Sequence, residues 1–193
     1  MPPHPCAPFL CQTFPSAVSI YTWFGHLPLL RGYRYLLTII DHTTRWPEAI
    51  PVADMSAQTC ATAFVSGWVS RYGVPAILTS DRGAQFCSSF WRSFCSILGI
   101  NHSTTTAYHP QSNGMVERLN RRLKDSLRAC LVGCDWTLHL PWVLLGLRTA
   151  PREGSGRSAA QQLFGTPLSL PSDFVNENGT GELLGRHLLG ESI

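Results

Sequence analysis

"ILTSDRGAQF", residues 77–86, decides how this chain is read. A short apolar run ends on Asp81, turns at Gly83 and goes on to another aromatic, Phe86. Open α/β sheets place their chemistry just beyond the C-terminal ends of strands, where Asp81 would stand. Asp-x-Gly is equally ordinary reversal chemistry, since an aspartate side chain accepts from the backbone two residues on. Taken alone, the stretch leaves both readings open.

Working outward, the hydrophobic period changes on either side. Upstream, residues 20–24, 35–40 and 46–52 are β-like runs, with Gly25, Pro28 and Gly32 in the first turn. Cys60, Phe64, Val65, Trp68, Val69 and Tyr72 then recur at helical spacing, with Ser56 to cap the start and Gly73 to end the helix. Downstream, Ser88 or Ser89 opens a second helix closed by Gly99, and 100–106 reads as a strand. A turn-rich loop, "YHPQSNG" (108–114), precedes Val116, Leu119, Leu123, Leu127 and Leu131, which mark one face of a long helix. Residues 136–147 form a further helix that Pro141 bends or splits, and 158–164 a last short one. Three strands followed by alternating helices and strands predict one mixed α/β domain over 20–174. An irregular proline-rich lead-in (1–19) precedes it, and a flexible tail (175–193) follows.

The bulk numbers narrow the class. At 193 residues and 44% hydrophobic content the chain can bury one good core. It has no run of about 18 apolar residues that would cross a membrane as a helix. Its seven cysteines are odd in number and lack CxxC spacing, which argues against a disulfide framework or zinc knuckle. A net charge of +3 permits an acidic partner without demanding one. Nor does "GSGRS" (154–158) have the G-x-S-x-G spacing of a hydrolase elbow.

The second informative acid is Glu117, early in the long helix. Arg121, Lys124 and Arg128 lie four, seven and eleven residues on and so share its face, with the leucines opposite. A solvated amphipathic face explains this pattern. So does an acid poised beside a phosphate-binding stripe. In the second reading Asp81 and Glu117 meet and share a magnesium ion, which takes oxygen ligands in octahedral geometry. Such ions activate the attacking oxygen and stabilise the leaving one in phosphodiester displacement.

At these residues the chain resembles a family. "TSDRGAQF" followed by "TTAYHPQSNGMVERLNRRLK", with 35 residues between Asp81 and Glu117, is similar to the catalytic core of retroviral-type integrases, and most closely to the gypsy class of long-terminal-repeat retrotransposons. "GYRYLLTIIDHTTRWPEAIPV", "FVSGWVSRYGVPAILTSD" and "LPWVLLGLRTA" extend the likeness. The resemblance implies a ribonuclease-H-like fold, a five-stranded mixed sheet flanked by helices. It also implies Mg2+- or Mn2+-dependent 3′-processing and strand transfer on DNA ends, self-association into homo-oligomers, no membrane, and action in the nucleus after import from the cytoplasm. By matched position Asp81 and Glu117 take the second and third places of the family's Asp, Asp, Glu metal triad. Tyr108, Gln111 and Asn113 fall in or beside its flexible loop, and Arg121, Lys124 and Arg128 lie on the DNA-facing helix.

The likeness breaks at the first acid. Aligning "GHLP" with the family's turn puts Thr22 in that place, a neutral hydroxyl that predicts weakened metal binding and a loss of rate by several powers of ten. Asp41 is no substitute. In an antiparallel hairpin Thr22 faces about Leu37, so Asp41 lies roughly 13 Å away at 3.3 Å per residue and is read as a turn cap. His4, Cys6 and Cys11 do not supply the His-His-Cys-Cys spacing of the family's zinc module. The alternative to a degenerate integrase core is a non-catalytic DNA-binding or self-associating remnant.

Overall fold

The computed structural model describes residues 17–23, 27–105, 110–130, 135–152, 154–171 and 173; for 22, 23, 110–113 and 130 it describes the backbone alone. The expected tail (175–193), Tyr108 and residues 1–16 of the expected lead-in lie outside the described residues.

β1 (Ala17–Trp23), β2 (Tyr35–Asp41) and β3 (Pro47–Val52) form an antiparallel meander, and β4 (Ile77–Ser80) and β5 (Asn101–Thr104) add to the far side of β1 in parallel. The sheet runs β3-β2-β1-β4-β5, the five-stranded mixed sheet expected. In the hairpin Thr22 pairs with Leu37, the expected register, and Asp41 pairs with Val18. β1 begins at Ala17, so the lead-in expected over 1–19 ends early: Ala17 and Val18 gain a parallel partner in Ile77 and Leu78 that local hydrophobicity does not reveal.

Caps set the helix starts. Ser56 accepts from the Thr59 amide at 3.2 Å and opens α1 (Ala57–Phe64), and Ser88 accepts from Trp91 at 3.1 Å and opens α4 (Ser89–Ile97). α1 widens into a π-helical stretch, Val65–Val69, before α2 (Ser70–Tyr72). Gly67 lies so close to β3 there that a Cβ would overlap the Ile50 side chain. A short helix absent from the sequence reading, α3 (Ala84–Cys87), fills the gap between Gly83 and Ser88.

α5 (Pro110–Cys130) starts earlier than the leucine pattern suggests and absorbs most of the expected loop. Proline at the first helical position loses nothing, because the amide it lacks would be unpaired anyway. α6 (Trp136–Thr149) runs through Pro141 without being split. Packing outweighs the lost bond: Leu36 and Ala49 of the sheet, Leu123 and Leu127 of α5, and Trp136, Leu140 and Leu144 of α6 form one buried cluster. Leu123 and Leu127 are each 1% exposed, so truncating either to alanine removes about 2–5 kcal/mol. Around α4 the core is aromatic. Trp91, fully buried, meets Phe86 edge-on at 4.9 Å and Phe64 at 6.4 Å.

The chain divides into two compact units, Met1–Arg148 and Thr149–Ile193, across the single domain expected over 20–174. In the second, Ser158 and Gln161 form a reciprocal capping box at the start of α7 (Ala159–Phe164), and Gly165 ends it in the left-handed conformation.

Candidate active site

Asp81 follows directly on β4. Ile20 pairs with Ser80 across the parallel ladder, so the next residues along, Tyr21 and Asp81, lie at one level at the mouth of the sheet. The turn reading of the Asp-x-Gly stretch is met, and Asp81 also stands where the strand ends. The Asp81 Oδ1 accepts from the Gly83 amide at 2.9 Å, as a turn aspartate does, while the carboxyl group stands at the strand end. Burial pushes its pKa above the usual carboxylate range, and the Gly83 N–H only partly opposes this.

Tyr21 joins Asp81 to Glu117. Its ring, 9% exposed, packs with Ile40 and with Val116 and Leu119, the residues flanking Glu117 on α5. Burial raises the phenol pKa first; nearby Ser19 and Thr105 hydroxyls offset part of that, and the charges of both Asp81 and Glu117 add to the rise. One phenol thus feels two carboxylates that are 35 residues apart in the chain. Among the described residues its buried Oη makes no close hydrogen bond, with the Ser19 and Thr105 hydroxyls lying near it. The neighbouring strand hydroxyls are taken: Ser19 Oγ pairs with His42 Nε2 at 2.6 Å and Ser80 Oγ with His102 Nε2 at 2.9 Å.

The other expected residues fall into place as follows. Thr22 is described at the backbone only. The Asp41 Oδ2 accepts from the amides of Thr43 and Thr44 at 3.2 and 2.7 Å and from the Thr44 hydroxyl at 2.8 Å, so it caps its turn. Gln111 and Asn113 lie on the first turns of α5 instead of in a loop, a correction that follows from the helix starting at Pro110; their side chains are not described. Arg121 and Arg128 are exposed and Lys124 is half-buried, and Arg118 and Arg122 are exposed as well. Among the described residues none of these five cations has an ion-pair partner. Sequence reasoning missed Tyr21, because an aromatic in a strand is by default core.

The described side chains differ from the two-ion site that the resemblance implies. Among the described residues no three His, Cys, Asp or Glu side chains cluster so as to hold a metal. Among the described side chains the third oxygen beside the two carboxylates is the neutral Tyr21 phenol, which supplies none of the charge a bridging acid would. The described donor set does not fit a pair of divalent ions.

Residues 18–110 match the family model described as "Integrase core domain". The chain is 38% identical over 167 residues to the Gag-Pol polyprotein of Feline leukemia virus, an alignment covering 83% of the chain and 10% of the polyprotein. Its fold is similar to the catalytic core of BIV integrase, with TM-score 0.63 and 24% identity over 76% of this chain and 93% of that one. It also resembles the HTLV-2 integrase catalytic core solved in complex with magnesium in a trimeric form, with TM-score 0.61 and 22% identity over 75% and 94% of the two chains. The fold is therefore ribonuclease-H-like, as the sequence leads one to expect, and no described helix is long and apolar enough to cross a membrane. The chain thus spans about a tenth of that polyprotein's length and belongs to the retroviral-type integrase catalytic cores.

Proposed function

We propose that this chain is a retroelement integrase core that grips DNA along α5 and whose strand-transfer chemistry is crippled at the first acid. The convergence of Asp81 and Glu117 on Tyr21, beside an α5 face whose five cations have no ion-pair partner among the described residues, is the observation that carries the reading. The cations would meet phosphates, so affinity falls steeply with salt. Asp81 and Glu117 are the two surviving acids of the reaction centre; with two carboxylates, Mg2+ or Mn2+ binds weakly. Tyr108, Gln111 and Asn113, at and before the start of α5, would touch the strand end. The relatives' trimeric core supports homo-oligomerisation, and DNA as substrate supports action in the nucleus.

The test is fluorescence anisotropy of a labelled duplex, paired with a Mn2+-dependent nicking assay. Wild type and Glu117→Gln should bind alike, Arg121→Ala plus Lys124→Ala should bind at least tenfold more weakly, and nicking should stay at background. Duplex binding indifferent to the paired substitution would reject the reading.

A further inference from the structure

We infer that the tip of the β1–β2 hairpin, residues 28–34, is a second DNA contact, which takes an unpaired strand by stacking a base on Tyr33 and meeting a phosphate with Arg34. The inference deepens the reading above and rests on it for DNA as the ligand.

Four observations carry it. The first is position. β1 runs parallel to β4 and β2 returns antiparallel, so the tip stands at the end of the sheet where Asp81 follows β4. Leu27 shares one buried cluster with Leu123 and Leu127, and Leu30 packs against it. Lys124 and Arg128 each come one residue after those leucines, so the tip lies level with the far end of the α5 cationic stripe. The second is anchorage. The Trp136 Nε1 donates to the Pro28 carbonyl at 3.0 Å and the Arg31 Nε pairs with Asp135 at 2.6 Å, which ties the tip to the start of α6.

The third is backbone strain. Leu30 and Tyr33 exchange two backbone hydrogen bonds, at 3.1 and 2.8 Å, around a two-residue turn. Both central residues have positive φ, 51° at Arg31 and 83° at Gly32. Asn-Gly makes such a turn at little cost; a bulky arginine does not. Strain of this kind persists where the surroundings impose it, and it gathers at ligand clamps. The fourth is the surface shown. Leu29 and Tyr33 are exposed, as is Arg34, which has no ion-pair partner among the described residues. An open ring beside a cation suits a base face and its phosphate. A duplex hides its base faces in its own stack, so this chemistry serves an unpaired strand, as at a frayed end or an overhang. A second copy docking tip to tip would instead set Arg34 against its twin, and like charges oppose that pairing.

The experiment measures fluorescence anisotropy on two labelled DNAs, a blunt duplex and the same duplex with a short single-stranded overhang. Circular dichroism confirms that each variant is folded. Wild type should bind the overhang more tightly. Tyr33→Ala should weaken overhang binding at least fivefold while leaving blunt duplex unchanged, and Tyr33→Phe should bind as wild type does. Arg34→Ala should lower the salt slope on the overhang by roughly 0.7. Overhang binding that survives Tyr33→Ala, or an equal loss on both DNAs, overturns the inference. So does a change of oligomeric mass in Tyr33→Ala by light scattering, which would make the tip a protein interface. If Tyr33→Ala does not fold, wild type is irradiated with 5-bromouracil in the overhang. Crosslinks should fall within residues 28–34, and crosslinks that avoid them refute the contact. The two readings fail separately. Blunt-duplex binding indifferent to Arg121→Ala plus Lys124→Ala, with overhang binding still dependent on Tyr33, would sink the α5 reading and leave the tip standing.

Discussion

Two acids in this molecule meet opposite fates. Glu48, 3% exposed, is wrapped in donors: Arg148 at 2.7 Å, the Tyr72 hydroxyl at 2.7 Å, the Trp46 indole N–H at 3.1 Å and Arg71 at 3.7 Å. The Arg148 guanidinium also lies 4.4 Å over the Trp46 ring. Asp81, half-buried just past β4, accepts from one backbone amide among the described residues. The two regions share a fold and a chain but not a purpose. Where every charge is answered from within, the acid holds structure together. Where charges are left unanswered, they stay free to meet something from outside. Burial alone does not separate the two; the completeness of the partner set does.

The contrast breaks most readily at Glu48. Glu48→Leu strands the Arg148 charge in a mostly buried site and should cost about 3–5 kcal/mol in urea denaturation, while adding Arg148→Met should recover most of it. If Glu48→Leu costs no more than a surface substitution, the structural role assigned to this cluster is wrong. On the outward-looking side, Arg121→Ala plus Lys124→Ala should lower the slope of log affinity for duplex against log salt by about 2, with stability changed by less than about 0.5 kcal/mol. Tyr21→Phe deletes a buried hydroxyl without a close hydrogen bond among the described residues, so the variant should be more stable by up to about 1 kcal/mol, read as a raised melting temperature. A loss instead would mean that the hydroxyl is held in the fold after all.

The smallest expected effect is a pH dependence. Burial pushes the pKa values of His42 and His102 below their ordinary value of 6.5. A depressed histidine adds stability that is whole above 6.5 and drains as pH falls toward the folded-state value. Stability should therefore decline slightly on acidification below that point, and His102→Gln should flatten the decline. A profile flat from pH 7 to 5 in wild type would rule this out.

Much of this was legible in the letters. Ser56, Ser88 and Ser158 announce their helices because a capping hydroxyl is a local device, and Thr22 opposite Leu37 follows from counting through a hairpin. The second and third acids could be named because they stand among distinctive neighbours in the right order. What the sequence hid is non-local. Ala17 and Val18 read as loop until β4 supplies their partner. Asn113 and Gly114 read as turn residues until the core under α5 makes them helical. Nothing in the letters singles out Tyr21, since only the ladder with β4 reveals that it stands level with Asp81. Periodicity reports which residues lie inside; it is silent on which strand they meet there.

The wide turn at Val65–Val69 has its own consequence for change over time. Tightening these five residues to ordinary pitch, with none removed, would swing all that follows by roughly 100°. Trp68 would leave Tyr72, whose ring centre is 4.8 Å away, and the Tyr72 hydroxyl would leave Glu48. Nor can Gly67 grow a side chain, with Ile50 already in the way. A stretch that tolerates neither tightening nor bulk works as a spacer: Trp68, Tyr72 and Glu48 keep their places only while it keeps its width.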